Sequence, residues 1–192
     1  MSVAGLIASV ALTLVAYYSS PSRKEAPPTG PASGPIAANS WQLYFSPNGG
    51  CTDAIVAELN RAEKSIHVQA YSFTSTPIAK ALVDAKRRGV AVEVVLDKSQ
   101  RTERYSSADF IAHAKIPTFI DDKHAIAHNK IIVIDGETTI TGSFNFSNAA
   151  EKNNAENLLI LRSSELAGRY LQNWHAHHAH SRAYPGKPLP PE

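Results

Sequence analysis

The stretch from His128 to Asn145 constrains the fold more than any other part of the chain. Ile131-Ile132-Val133-Ile134 is an unbroken apolar, largely β-branched run, as expected of a strand buried on both faces. Asp135-Gly136 follows, then a second β-rich run, Thr138-Thr139-Ile140-Thr141. An Asp-Gly pair between two such runs predicts a hairpin, because its turn needs positive φ, which Gly tolerates. Residues two apart on a strand share a face. His128 and Lys130 therefore point one way, and so do Ser143 and Asn145. The hairpin brings the strand ends remote from its turn together, so these four side chains are expected to converge. An imidazole, an ammonium, a hydroxyl and a carboxamide in one place suit a phosphate. The cation and neutral donors hold its oxygens, and the imidazole attacks or carries a proton.

Elsewhere the order is strand, helix, strand, helix, strand. Trp41 to Phe45 reads as the first strand, and a helix starting at Cys51 or Thr52 carries Ile55, Val56 and Leu59. Ser65 to Phe73 is the second strand. Thr76-Pro77 reads as N-cap and first residue of a helix that presents Ile78, Leu82 and Ala85 and stops at Gly89. Val90 to Leu96 is the third strand. This order implies a parallel sheet with right-handed crossovers. Ala108 to Ala114 is a short helix, Pro117 to Asp121 a strand and Ala155 to Leu161 another. The last helix opens at Ser164 and buries Leu166, Tyr170, Leu171 and Trp174. The fold class is α/β: a central mixed β-sheet flanked by helices.

In open α/β sheets ligands sit at the carboxyl ends of strands. Tyr71, Ser72 and Phe73 occupy one such end, and Asp97-Lys98-Ser99 another. Tyr71, Ser72 and Phe73, with Lys98 and Arg101 from the charged loop, are the candidate substrate-binding positions. A solvated loop of charges is an equally good account of Lys98, Arg101 and Arg104. Lys86-Arg87-Arg88 lies in the last turn of a helix, where cations suit the dipole, and is read as structural.

His128, Lys130 and Asp135, followed by Gly142, Ser143 and Asn145, resemble the signature of the phospholipase D superfamily: His-x-Lys-x4-Asp, then Gly-Ser-x-Asn. Ala70 to Ser75 and Ala155-Glu156-Asn157 extend the resemblance to the small, single-motif, metal-independent bacterial endonucleases of that superfamily. It covers roughly residues 43 to 175. The resemblance implies a phospholipase D-like fold and a covalent phosphohistidine at His128. Lys130 and Asn145 would hold the non-bridging oxygens, Ser143 would add a hydrogen bond, and Glu156 would orient the imidazole. Asp135 belongs to the motif, but about 20 Å of strand separates it from His128, so its expected role is structural. Larger members carry two motifs and this chain carries one. A general acid is still needed for the leaving oxygen. The expected solution is a symmetric homodimer in which two His128 face each other across the two-fold axis.

The scheme requires no metal or other cofactor. His175, His177, His178 and His180 end the last helix, where imidazoles suit the dipole, and show no metal-ligand spacing with Cys or carboxylate partners. His124 reads as a loop residue near the groove. The single Cys51 excludes an intramolecular disulfide and a multi-Cys metal site. A net charge of +2 is too mild to mark a nucleic-acid binder by itself.

The domains read as follows. Residues 1–18 are a hydrophobic signal peptide or membrane anchor, since Val3 to Tyr18 is apolar apart from Ser9 and Thr13. The chain is therefore expected to be exported, or membrane-anchored if the segment is retained. Residues 19–40 are a linker containing Pro21, Pro27, Pro28, Pro31 and Pro35. Residues 41–180 are the catalytic domain. Residues 181–192, with Pro185, Pro188, Pro190 and Pro191, are expected to be a disordered tail. The favoured substrate is nucleic acid, DNA or RNA, cut with little sequence preference. Two alternatives stand beside it: a phospholipase D-type lipid hydrolase, and an inactive membrane-tethered nucleic-acid-binding module.

Overall fold

The computed structural model describes residues 32–33 and 40–188. The expectations for residues 1–18 and for most of the linker fall outside that range. Among the described residues no helix is long and apolar enough to cross a membrane.

The strands are β1 (Ala32–Ser33), β2 (Ser40–Ser46), β3 (Ser65–Ala70), β4 (Ala91–Asp97), β5 (Thr118–Asp121), β6 (Lys130–Ile134), β7 (Thr138–Gly142), β8 (Glu156–Arg162) and β9 (Arg182–Ala183). The helices are α1 (Cys51–Arg61), α2 (Thr76–Arg87), α3 (Ala108–His113), α4 (Asn148–Lys152) and α5 (Ser164–His178). The strands form one mixed sheet in the order β1-β2-β8-β7-β6-β3-β4-β5-β9. Among these strands, β3–β4 and β4–β5 pair in parallel and the other pairs are antiparallel.

The parallel expectation therefore holds for β3 and β4, is corrected for β2, and β5 joins the parallel set as well. That strand pairs antiparallel with β8, through Trp41↔Leu161 and Phe45↔Asn157, and is separated from β3 by three strands. A strand's periodicity gives its buried face and not its neighbour. The second strand also stops at Ala70, so Tyr71 to Phe73 lie beyond it.

Helices cover both faces of the sheet. On one face α1, α2, α3 and α4 bury Ile55, Leu59, Ile78, Leu82, Ile111 and Ala150 against Ile66, Val68, Val94, Ile132, Ile140 and Ile160. On the other, Ala167 and Tyr170 of α5 pack on Ile131 and Val133. That double coverage is why β6 has no polar position between Ile131 and Ile134. Trp174 of α5 is buried and donates its indole N–H to the Val68 carbonyl at 2.9 Å, which fixes the helix over β3. Ala167, and not Leu166, is the fully buried residue of the first turns; Leu166, Tyr170 and Leu171 are only half-buried.

Two further corrections concern the ends. Ser75 precedes the first residue of α2, so Thr76 is helical and not its cap. Of the tail expected to be disordered, residues 182–187 are tied down. β9 pairs with β5, the Tyr184 hydroxyl donates to Asp109 Oδ1 at 2.7 Å, and Lys187 N donates to the same oxygen at 2.9 Å. Proline content alone had suggested disorder, but two anchors on one carboxylate outweigh it.

Candidate active site

The Asp135-Gly136 turn forms as its sequence demands, with φ of 54° and 69°. Glu137 N donates to the Ile134 carbonyl across it. The Asp135 carboxylate points away from the open end of the hairpin. It accepts backbone N–H bonds from Glu63 (3.0 Å), Lys64 (2.8 Å) and Ser65 (2.8 Å), closing the entry to β3. Those donors hold its carboxyl below the usual range, against the opposing effect of burial.

His128 lies at the opposite end, in the loop that leads into β6, and is exposed. The backbone around it is held on every side. Ala127 N donates to the buried Asp97 Oδ2 at 2.7 Å. Tyr71 N donates to the Asn129 carbonyl at 2.8 Å, and Gln69 Nε2 donates to Asn129 Oδ1 at 3.1 Å. The Lys130 ammonium donates to the His128 carbonyl at 3.0 Å. The Tyr71 ring packs against the His128 imidazole, centroids 4.5 Å apart, and under the Lys130 ammonium at 5.2 Å.

Lys130 is 7 % exposed. Burial pushes its pKa down, and the Glu156 carboxylate opposes that. Glu156 opens β8 on the neighbouring side, and its Oε1 accepts from Asn154 Nδ2 at 3.2 Å.

Beyond β7 the chain alternates as a strand would. Phe144 and Phe146 are fully buried, while Ser143 is exposed and Asn145 half-buried on the opposite side. Ser143 is fastened to β8: its Oγ accepts from Asn157 N at 3.1 Å, and its N–H donates to the Asn157 carbonyl at 3.1 Å. Gly142 permits that approach. Its φ is 143°, and a Cβ there would collide with the Asn157 carbonyl oxygen. The Asn145 Oδ1 is buried without a hydrogen-bond partner. Orphaned amide atoms of this kind are uncommon in folded proteins and suit a site that a ligand completes.

The expected substrate-binding residues separate. Tyr71 and Ser72 are half-exposed, and the Tyr71 ring packs against His128. Phe73 is fully buried, its N–H donating to Gln100 Oε1 at 3.2 Å, so it belongs to the core and not to a substrate surface. Lys98 is exposed, and its ammonium donates to the His124 carbonyl at 3.1 Å. Arg101 lies 3.8 Å from Asp122. Both cations thus steady the loop between β5 and β6 as well as charging its rim. Asp97 was missed as a positioning residue; an acidic residue ending a buried strand was its only signal.

The histidine-rich end of α5 is also corrected. It has a carboxylate partner after all, Asp121 at the end of β5. His177 Nδ1 lies 2.7 Å from Asp121 Oδ2, and His124 Nδ1 lies 3.0 Å from it. The paired spacings Asp121-x2-His124 and His177-x2-His180 are a signal visible in the sequence, but nothing local joins the two halves.

A mixed sheet whose central hairpin carries His128 and Lys130 at the entry to β6, and Ser143 and Asn145 just past β7, has the pattern of a phosphodiesterase of the phospholipase D superfamily. Residues 55–177 match the family model described as "Cardiolipin synthase, PLD-like domain", and the chain belongs to that family. It is 48% identical over 130 residues to a Rickettsia felis protein named phospholipase D, covering 68% of this chain and 65% of that protein's length. A Xenopus laevis protein named mitochondrial cardiolipin hydrolase is 28% identical over 116 residues, covering 60% of this chain and 55% of that one. The crystal structure of Nuc from Salmonella typhimurium, a phospholipase D family member, superposes with a TM-score of 0.74 at 39% identity. That match covers 76% of this chain and 98% of Nuc.

Proposed function

We propose that this chain cleaves nucleic-acid phosphodiesters through a phosphohistidine at His128, as a homodimer. The observation that carries the reading is the buried Lys130, whose ammonium donates to the carbonyl of His128 and lies over the Tyr71 ring that also packs on the exposed His128 imidazole. A partly desolvated cation stabilises an anion bound beside it.

In this reading His128 attacks phosphorus and the P–O bond to the leaving oxygen breaks. Lys130 and Asn145 hold the non-bridging oxygens, and Ser143 adds a hydrogen bond. The partner subunit's His128 gives its proton to the leaving oxygen. That imidazole then takes a proton from water, whose oxygen attacks the phosphohistidine and releases the phosphate. Glu156 keeps Lys130 charged and, by turning from Asn154, orients the His128 ring. Asp135 takes no part in the reaction.

Support for a dimer comes from the face of β2 and β8 beside α5. Trp41 and Phe45 are 41% and 40% exposed there, and pair with Leu161 and Asn157 across the strands. This apolar face reaches Asn157, beside Glu156 and Ser143. A second copy is the occupant that the single motif calls for.

Nucleic acid is favoured by the open rim of Tyr71, Lys98 and Arg101, where backbone phosphates give affinity without sequence selection, and by the likeness to Nuc. The names of the Rickettsia and Xenopus relatives favour a second reading, cleavage of a phospholipid head-group ester. Full-length chain is incubated with plasmid DNA and, separately, with cardiolipin-containing vesicles, beside His128→Ala, with and without chelator. Chelator-resistant nicking that His128→Ala lacks supports the nuclease. Head-group release without nicking establishes the lipid reading. Binding without cleavage of either substrate leaves an idle binding module.

A further inference from the structure

Asp121 closes β5 with a carboxylate that is entirely buried. Three imidazoles surround it. His124 Nδ1 lies 3.1 Å from Oδ1 and 3.0 Å from Oδ2. His177 Nδ1 lies 2.7 Å from Oδ2, and His180 Nε2 lies 3.3 Å from Oδ1. One donor atom from each of the four residues falls within 4.8 Å of the other three. The rings also crowd one another, with centroids 4.8 Å apart for His124–His177, 5.2 Å for His124–His180 and 5.5 Å for His177–His180.

One carboxylate is a poor reason to collect three imidazoles. Protonating all three would place three positive charges around a single negative one. Leaving them neutral requires each to donate to the carboxylate, and His180 Nε2 makes no hydrogen bond although it is buried. A buried ring nitrogen without a hydrogen bond, beside two other imidazoles and a carboxylate, suits a metal ligand.

We propose that Asp121, His124, His177 and His180 bind one divalent transition-metal ion of the zinc class, closing a staple between the end of α5 and the loop that carries His128. Three imidazole nitrogens and one carboxylate oxygen are donors that zinc favours. Tetrahedral bonds of its usual length place donors about 3.3 Å apart, and the Asp–His separations here are already 2.7 to 3.3 Å. Four protein ligands leave no open position for substrate, so the role is structural. Outer contacts are in place as well: Lys123 N donates to Asp121 Oδ1 at 3.1 Å, and Arg101 and Arg182 hold the adjoining Asp122. With Lys98 on the His124 carbonyl, the metal would fix the segment from Asp121 to Ala127 at both ends.

The test uses full-length chain without a polyhistidine tag. Metal content is measured by mass spectrometry, and metal-stripped protein is titrated with Co²⁺ while visible absorption and melting temperature are followed. One equivalent of metal per chain, the d–d bands of tetrahedral cobalt and a melting temperature raised by several degrees are expected. His177→Ala should lose all three. His124→Ala, in an exposed loop, should lose them too and guards against misfolding of the helical variant. His175→Ala, outside the cluster, should keep them. Purified protein without metal that also gives no cobalt spectrum overturns the proposal, leaving a hydrogen-bonded carboxylate only. So does equal binding by both cluster variants. None of these readouts depends on which ester the His128 site cleaves.

Discussion

The Lys130 ammonium donates a 3.0 Å hydrogen bond to the carbonyl of His128, two residues earlier in the chain. One side chain thus holds the backbone that presents the imidazole and puts a buried positive charge over the Tyr71 ring that packs on it. Lys130→Met is expected to lower kcat by about 100-fold or more, the usual cost of one preorganised donor. It should leave the melting temperature unchanged or raised, because an apolar side chain of similar length no longer has to bury charge. Burial favours the neutral amine, so the alkaline limb of kcat/KM should fall below 10.5, the value of a free lysine. Steady-state rates across pH, with a thermal melt of each variant, check both claims.

Asp135 is predicted to act on stability and not on chemistry. Its three backbone N–H bonds are lost in Asp135→Ala, at a cost of about 2–3 kcal/mol in urea unfolding at neutral pH. Its folded pKa lies below the unfolded 3.8, so the contribution is present above that pH and fades as pH falls through the folded value. The gap between wild type and variant should therefore shrink in acid. Activity per folded molecule should be unchanged.

Much of this site is legible in the sequence, and the reasons are local. The β-branched run, the Asp-Gly turn and the alternation of Ser143 and Asn145 with Phe144 and Phe146 each follow from a period of two. What pairs with what is not local. Trp41 to Phe45 reads correctly as a strand, yet nothing in it specifies β8 as its partner. Asp121 and His177 stand 56 residues apart, and only the packing of α5 across the sheet joins them. Phe73 follows the end of β3, where a ligand contact is expected, but its ring turns into the core.

Gly142→Ala is predicted to damage fold and activity together. The positive φ and the close Asn157 carbonyl leave no room for a methyl group, and the strain is about 1–3 kcal/mol. Relieving it moves β7 from β8 and carries Ser143 out of place. Urea unfolding and kcat should both fall, whereas Ser143→Ala should lower kcat while costing only the one bond from Asn157 N, about 1 kcal/mol.

A shared site makes the dimer testable by mixing. Excess His128→Ala chain, refolded with wild type, should suppress activity as heterodimers with one imidazole accumulate. Trp41→Glu with Phe45→Glu should shift sedimentation toward the monomer and lower activity at dilute concentration. Rates independent of both mixing ratio and concentration contradict the shared site.

The central claim is a covalent bond between His128 and phosphorus. Full-length chain is mixed with a short labelled oligonucleotide, quenched in alkaline denaturant within one turnover, and analysed by peptide mass spectrometry. A phosphonucleotide adduct on His128, absent from His128→Ala, is the result predicted. Cleavage at the normal rate by His128→Ala, or an adduct on any other residue, contradicts it.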